Sequence, residues 1–244
     1  MKYLILFTFV TSMCLGQSLE KMPVDLETDF ALSSLPPHLR EKATVYLLDP
    51  AKGYYVARQG TNGFTAMVIR TEWEWEEYTD DCLTALSYDA EGSKTIIPVY
   101  LEVAAMRASG KYSPAELRQA IIKKVKDGTL KAPARPGISY MLAPIMRSHP
   151  GTKEVETMIM PHYMFYAPNL TNADIGGKYD GTSQPFILES DPGFGKDHAI
   201  LNYIIVKAGE AEIEKILKEN ANLLDRLAQF RPSLKVNAGL AHHH

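Results

Sequence analysis

Residues 43–70 decide the fold: Ala43-Thr44-Val45-Tyr46-Leu47-Leu48, Asp49-Pro50-Ala51-Lys52-Gly53, Tyr54-Tyr55-Val56-Ala57-Arg58, Gln59-Gly60-Thr61-Asn62-Gly63, Phe64-Thr65-Ala66-Met67-Val68-Ile69-Arg70. Three runs of β-branched and aromatic residues alternate with two turn clusters. Pro50 presets φ and Gly53 permits a positive one. Asn62-Gly63 is the pair that favours tight hairpins. The spacing predicts strands over 43–48, 54–58 and 64–70, joined as an antiparallel meander.

Downstream, the pattern switches to helical period. Residues 98–109 start at Pro98 and stop at Gly110. Ser113-Pro114-Ala115-Glu116 is a capping box with proline at the first helical position, predicting a helix over 114–127. Its apolar stripe is Leu117, Ile121, Ile122 and Val125. Its three terminal lysines suit the helix dipole better than an anionic partner. Residues 210–230 read as one long amphipathic helix. Further strands are expected at 138–142, 155–166, 185–188 and 199–206. These elements make an α+β domain over 36–230. An antiparallel sheet begins with the meander, and the helices lie mainly on one face. Residues 17–35 read as an arm with a helical turn or two, and 231–244 as a flexible tail.

Bulk properties narrow the function. The net charge is −3, with 45% hydrophobic and 23% charged residues. No basic footprint for nucleic acid is present. The N-terminus reads as a secretory signal peptide over 1–16: Lys2, an apolar run from Leu4 to Met13, then Cys14-Leu15-Gly16 with cleavage after Gly16. Thr11-Ser12-Met13 makes a poor lipobox, which argues against lipidation at Cys14. Removal of 1–16 takes away one basic residue and leaves 25 against 29 acidic, a net charge of −4. The apolar run is too short to span a bilayer, and no later stretch is long enough. The chain therefore reads as exported, periplasmic or secreted. Cys82 would then stand alone, most simply as a buried thiol. Asp80 and Asp81 beside it would raise its pKa, against a nucleophilic role.

The densest aromatic and methionine segment is Met158-Ile159-Met160-Pro161-His162-Tyr163-Met164-Phe165-Tyr166-Ala167-Pro168. Read as a strand, it places Met158, Met160, His162, Met164 and Tyr166 on one face. Pro161 and Pro168 point to an edge strand or a bulge. Buried there, His162 needs a partner or a cavity. This predicts a Met/aromatic-lined pocket for a small apolar or aromatic ligand, with those five residues on its wall. The competing reading is a core strand with a hydrogen-bonded histidine. An enzyme, hydrolytic or metal-dependent, would use His162 as general acid/base or metal ligand. A structural or interaction protein would need no small-molecule site. No metal is expected; His162, Asp197 and His198 are the weak candidates, and His149 stands isolated. No GxSxG, P-loop or GxGxxG spacing occurs, and no cofactor is expected. Trp73 and Trp75 lie in an acidic stretch that reads most simply as a solvated loop whose tryptophans fold back on the domain. His242, His243 and His244 read as a tag remnant.

Three segments carry a resemblance: Gly60-Thr61-Asn62-Gly63-Phe64-Thr65; Lys131-Ala132-Pro133 with Pro136-Gly137-Ile138 and Tyr140-Met141; and His162 with Met164-Phe165-Tyr166-Ala167-Pro168. In them the chain resembles a group of uncharacterised exported bacterial proteins over about residues 36–190. The resemblance implies export and brings no known activity, so it assigns no site residues. It also implies cysteine where this chain has Ala66, which leaves Cys82 without a disulfide partner there.

Overall fold

In the computed structural model, which describes residues 19–150, 152, 154–178, 184–188 and 201–236, β1 (Thr44–Asp49) and β2 (Gly53–Arg58) form the expected hairpin. Asp49 Oδ1 accepts from Ala51 N at 2.9 Å and closes the turn. β3 (Thr65–Ile69) breaks the expected meander. It pairs with β1 and runs parallel to it, with Thr44 beside Thr65 and Val45 beside Ala66. The connection from β2 crosses the start of β1. Thr61 N donates to Lys42 O at 2.8 Å, Asn62 Nδ2 to Leu39 O at 2.8 Å and Thr44 N to Phe64 O at 2.8 Å. Only glycine fits at the crossing, since a Cβ on Gly60 would lie 2.3 Å from Lys42 O, Ala43 C and Thr44 N. Asn62-Gly63 thus bends the chain over β1 rather than closing a hairpin.

The sheet continues through β4 (Thr84–Tyr88), β5 (Ile138–Met141), β8 (His162–Tyr166), β10 (Tyr203–Lys207) and β9 (Phe186–Ile187), giving the order β2-β1-β3-β4-β5-β8-β10-β9. Apart from β1–β3, its pairings are antiparallel. β6 (Met146–Ser148) and β7 (Glu156–Met158) form a separate ribbon. The class is α+β, with a large, mostly antiparallel sheet.

Helices cover both faces of the sheet, not mainly one. On one side α1 (Val24–Ser33) and α8 (Ala221–Phe230) bring Leu26, Phe30, Leu223 and Leu227 onto Val45, Ala66, Val68 and Ala85. On the other, the junction of α3 (Ala90–Thr95) and α4 (Ile97–Ala108) brings Ile96 and Ile97 onto Met67, Ile69, Leu86 and Tyr88. This explains why every residue of β3 and β4 is buried: alternate side chains feed two cores. α5 (Pro114–Lys126) starts with the predicted capping box and packs Leu117, Ile121 and Val125 against Val99, Val103 and Met106 of α4. α2 (Pro37–Arg40) and α6 (Asn172–Ile175) are single turns.

Three boundary readings change. The segment read as an arm is core, because Met22, Leu26, Phe30 and Leu35 are all buried. The single helix over 210–230 is two, α7 (Glu210–Glu219) and α8, broken at Asn220, whose Nδ2 donates to Ile216 O at 2.8 Å. The turn expected around Tyr88–Ser93 starts α3, capped by Asp89 Oδ1 accepting from Glu91 N and Gly92 N, both at 3.0 Å. The signal segment, Asp197, His198 and the three terminal histidines lie outside the described residues.

Candidate functional site

The segment expected to line a pocket is divided. Pro161 cannot donate to a ladder, and the chain leaves β7 before it and enters β8 after it. Met158 and Met160 therefore do not share a strand with His162, Met164 and Tyr166. β8 is also central, paired with β5 on one side and β10 on the other, not an edge strand. Met164 and Tyr166 are core residues between Tyr88, Phe186 and Tyr203. The Tyr166 hydroxyl donates to Asp89 Oδ1 at 2.9 Å. His162 is 2% exposed, and its Nδ1 meets Met160 O at 2.7 Å. Burial holds its imidazole down at about pKa 4, so it is neutral. The competing reading of His162, a hydrogen-bonded core histidine, is what the geometry gives.

The donors that do converge come from three segments distant in sequence. Glu72 follows β3 at the head of a 3₁₀ turn (Trp73–Trp75), Cys82 precedes β4, and His149 follows β6. Glu72 Oε2, Cys82 Sγ and His149 Nδ1 lie within 4.8 Å of one another, and all three residues are buried. Glu72 Oε2 is bonded to Nδ1 of His149 and accepts from its backbone N at 3.2 Å. Cys82 Sγ stands 3.9 Å from the same Nδ1. Trp75 stacks on the imidazole, with centroids 4.9 Å apart at 20°, and fixes its plane. The Thr79 hydroxyl is 3.0 Å from Sγ. The tryptophans do fold back on the domain, but the acidic stretch between β3 and β4 is not fully solvated: Glu72 and Glu74 are each 8% exposed.

This cluster is not a nucleophile relay. A Cys–His–carboxylate triad uses the two ring nitrogens for two different partners. Here thiol and carboxylate address the same one, and Nε2 is buried with no partner among the described residues. Burial, with the Glu72 charge next, pushes the Cys82 thiol up, so no thiolate is poised to attack. Among the described residues this is the one group of three ligating side chains that could hold a metal ion, and the expected candidate His162 is not in it.

The chain matches no protein-family model, no curated protein and no solved structure.

Beside the cluster opens a cleft of about 700 Å³ between α4, the start of α5 and the β1–β3 end of the sheet. None of Met158, Met160, His162, Met164 and Tyr166 lines it. Leu48, Ile69, Val103, Ala104 and Ala108 give it apolar walls, and Tyr54, Tyr78 and Tyr100 add rings. Two arginines share it with different commitments. Arg107 is held by both terminal nitrogens: Nη1 is within hydrogen-bond distance of Arg70 O at 3.1 Å, Thr71 Oγ1 at 2.9 Å and Thr79 O at 3.2 Å, and Nη2 pairs with Asp80 at 2.7 Å. Arg70, 1% exposed, spends Nε on Cys82 O at 3.2 Å and Nη1 on Glu20 O at 3.1 Å. Its Nη2 is buried with no partner among the described residues. Burial lowers the Arg70 pKa, with Tyr54 and Glu27 opposing that at longer range. Cleft and cluster are one neighbourhood, because Arg70 reaches the carbonyl of Cys82 itself.

Sequence reasoning singled out Cys82 but not its partners. Cys82 and His149 are 67 positions apart, and Glu72 and His149 are 77. Metal motifs are legible when their donors share one element; here each donor belongs to a different strand end.

Proposed function

We propose that the chain is an exported binding protein whose cleft takes a small molecule with an apolar body and one anionic, hydrogen-bond-accepting head. The observation that carries this reading is Arg70, a residue of the cleft lining whose Nη2 is buried with no acceptor among the described residues. A buried unpartnered donor costs about 1–3 kcal/mol, more when charged, and an acceptor arriving with its own apolar body would recover that cost. The walls suit such a body, since adaptable apolar clefts with few polar groups are typical ligand sites. Export rests on Lys2, the apolar run and the small residues before Gln17.

The test is thermal stabilisation by straight-chain carboxylates of graded length, with the matching alcohols as neutral controls. Carboxylates should raise the melting temperature more than their alcohols. Ala108→Phe, which fills the cleft wall from the end of α4, should abolish the response. Arg70→Met should level carboxylate and alcohol. No carboxylate response, or an undiminished one in Ala108→Phe, defeats the reading. Mass spectrometry of the protein released by its native host tests export; a chain beginning at Gln17 is expected.

A further inference from the structure

We propose that Glu72, Cys82 and His149 form a binding site for a borderline transition-metal cation, with Zn²⁺ the best match. The inference is independent of the cleft's occupant.

Three different donor chemistries meet at one point: a carboxylate oxygen, a thiol sulfur and an imidazole nitrogen, all within 4.8 Å of one another. Tetrahedral zinc bonds of about 2.0 Å to nitrogen or oxygen and 2.3 Å to sulfur put neighbouring donors roughly 3–4 Å apart, and the 3.9 Å from Sγ to Nδ1 falls in that range. Glu72 Oε2 and Nδ1 sit closer and would part to admit the ion between them. Hard cations are poor candidates, since calcium and magnesium take six or more oxygens or keep their waters. Imidazole and thiolate together select zinc and its neighbours.

As a bare hydrogen-bonded pair the arrangement is incomplete. One Nδ1–H satisfies the Glu72 carboxylate and leaves the thiol facing the same atom with nothing to gain. A cation at the meeting point serves all three donors through their lone pairs. The surroundings already hold the donors in place: Trp75 on the ring face, the Thr79 hydroxyl on Sγ and the His149 backbone N on Oε2. Asp81, one residue from the cysteine, is clamped by Arg147 and by Arg231 at 2.9 Å. Such outer contacts orient metal ligands. Three protein donors leave a fourth position, as in zinc sites that bind water or an exogenous ligand.

The experiment uses the full chain carrying His242→Ala, His243→Ala and His244→Ala, stripped with chelator and titrated with Co²⁺ under reducing conditions. One equivalent should bind, with a thiolate-to-cobalt charge-transfer band in the near ultraviolet and intense visible bands of four-coordination, and Zn²⁺ should displace it. Cys82→Ser, a near-isosteric change, should keep the far-ultraviolet dichroism, lose the charge-transfer band and weaken binding at least tenfold. A stripped chain that folds only when Zn²⁺ is returned also supports the site. Substoichiometric binding, or a cobalt spectrum indifferent to Cys82→Ser, overturns it and leaves a buried hydrogen-bonded pair beside a thiol.

Discussion

Glu27 on α1 accepts the backbone N–H of Leu48 on β1 through Oε1 at 2.9 Å, across 21 positions of sequence. This bond ties the first helix to the end of β1 through a buried residue, Glu27 being 2% exposed. Burial raises its pKa from 4.5 to about 7, against the lowering effects of the Leu48 N–H, Arg70 and Lys21. The folded state thus holds a proton that the unfolded chain releases near 4.5. The Glu27 contribution to stability therefore falls as pH rises from about 4.5 to 7 and is level above. Glu27→Gln keeps the acceptor and removes the titration. It should remove that falling contribution and, above pH 7, raise stability by about 1–2 kcal/mol: linkage of roughly 3 kcal/mol less about 1 for an unpartnered amide N–H. Urea unfolding across the window checks this. An unchanged slope, or a loss of stability above pH 7, refutes it.

His162 titrates with the opposite sign. Its pKa falls from 6.5 to about 4, chiefly through burial, with the Lys207 charge adding and the Met160 carbonyl opposing. The unfolded chain protonates first, so stability is full above 6.5 and is lost as pH falls towards 4, by up to about 3 kcal/mol. Between about 4.5 and 6.5 the two groups offset each other. In the Glu27→Gln background, stability should therefore rise with pH across that interval. His162→Gln, which retains a donor for Met160 O, should remove the rise. Persistence of the slope in the double variant would assign it to another group.

The crossover over β1 makes Gly60 intolerant of any side chain. The atoms a Cβ would strike at 2.3 Å are backbone and cannot rotate away. Gly60→Ala should cost at least about 3 kcal/mol, the upper range for overpacking. Gly128→Ala is the control. Its φ is +78° but its surroundings are open, so it should cost only about 1–2 kcal/mol of left-handed strain. Equal losses in denaturant midpoints would mean that the crossing relaxes.

Local chemistry was legible and long-range placement was not. Asp49–Gly53 and Ser113–Glu116 encode their turn and cap in consecutive residues, and both formed as read. Asn62-Gly63 encodes a bend but not the side of β1 on which the next strand docks; contacts to Leu39 and Lys42 decide that. The methionine and aromatic density around His162 marks a central strand whose His162, Met164 and Tyr166 are buried, while Phe165 on its other face is exposed. Density of this kind signals burial before it signals a pocket. Arg70 looked like the end of a strand, and only the packing of α4 against that end makes it the one buried arginine of the cleft with an unused N–H among the described residues.

The segment before α2 belongs to the core. From sequence it reads as an arm with a helical turn or two, ended by Pro36-Pro37, and its helix carries Asp25, Glu27 and Asp29. Those residues behave differently once packed: Asp25 and Asp29 bind Arg226 of α8 at the surface, at 2.7 and 2.6 Å, and Glu27 turns inward. Between them Phe30, 0% exposed, sits in the same core cluster as Val45, Ala66 and Leu227. Phe30→Ala should cost about 3–5 kcal/mol, as buried aromatic truncations do. Arg226→Ala breaks exposed pairs and should cost no more than about 1 kcal/mol. Chemical denaturation of both variants separates the two roles. A loss in Phe30→Ala no larger than in Arg226→Ala would return the segment to the status of an arm resting on a finished domain.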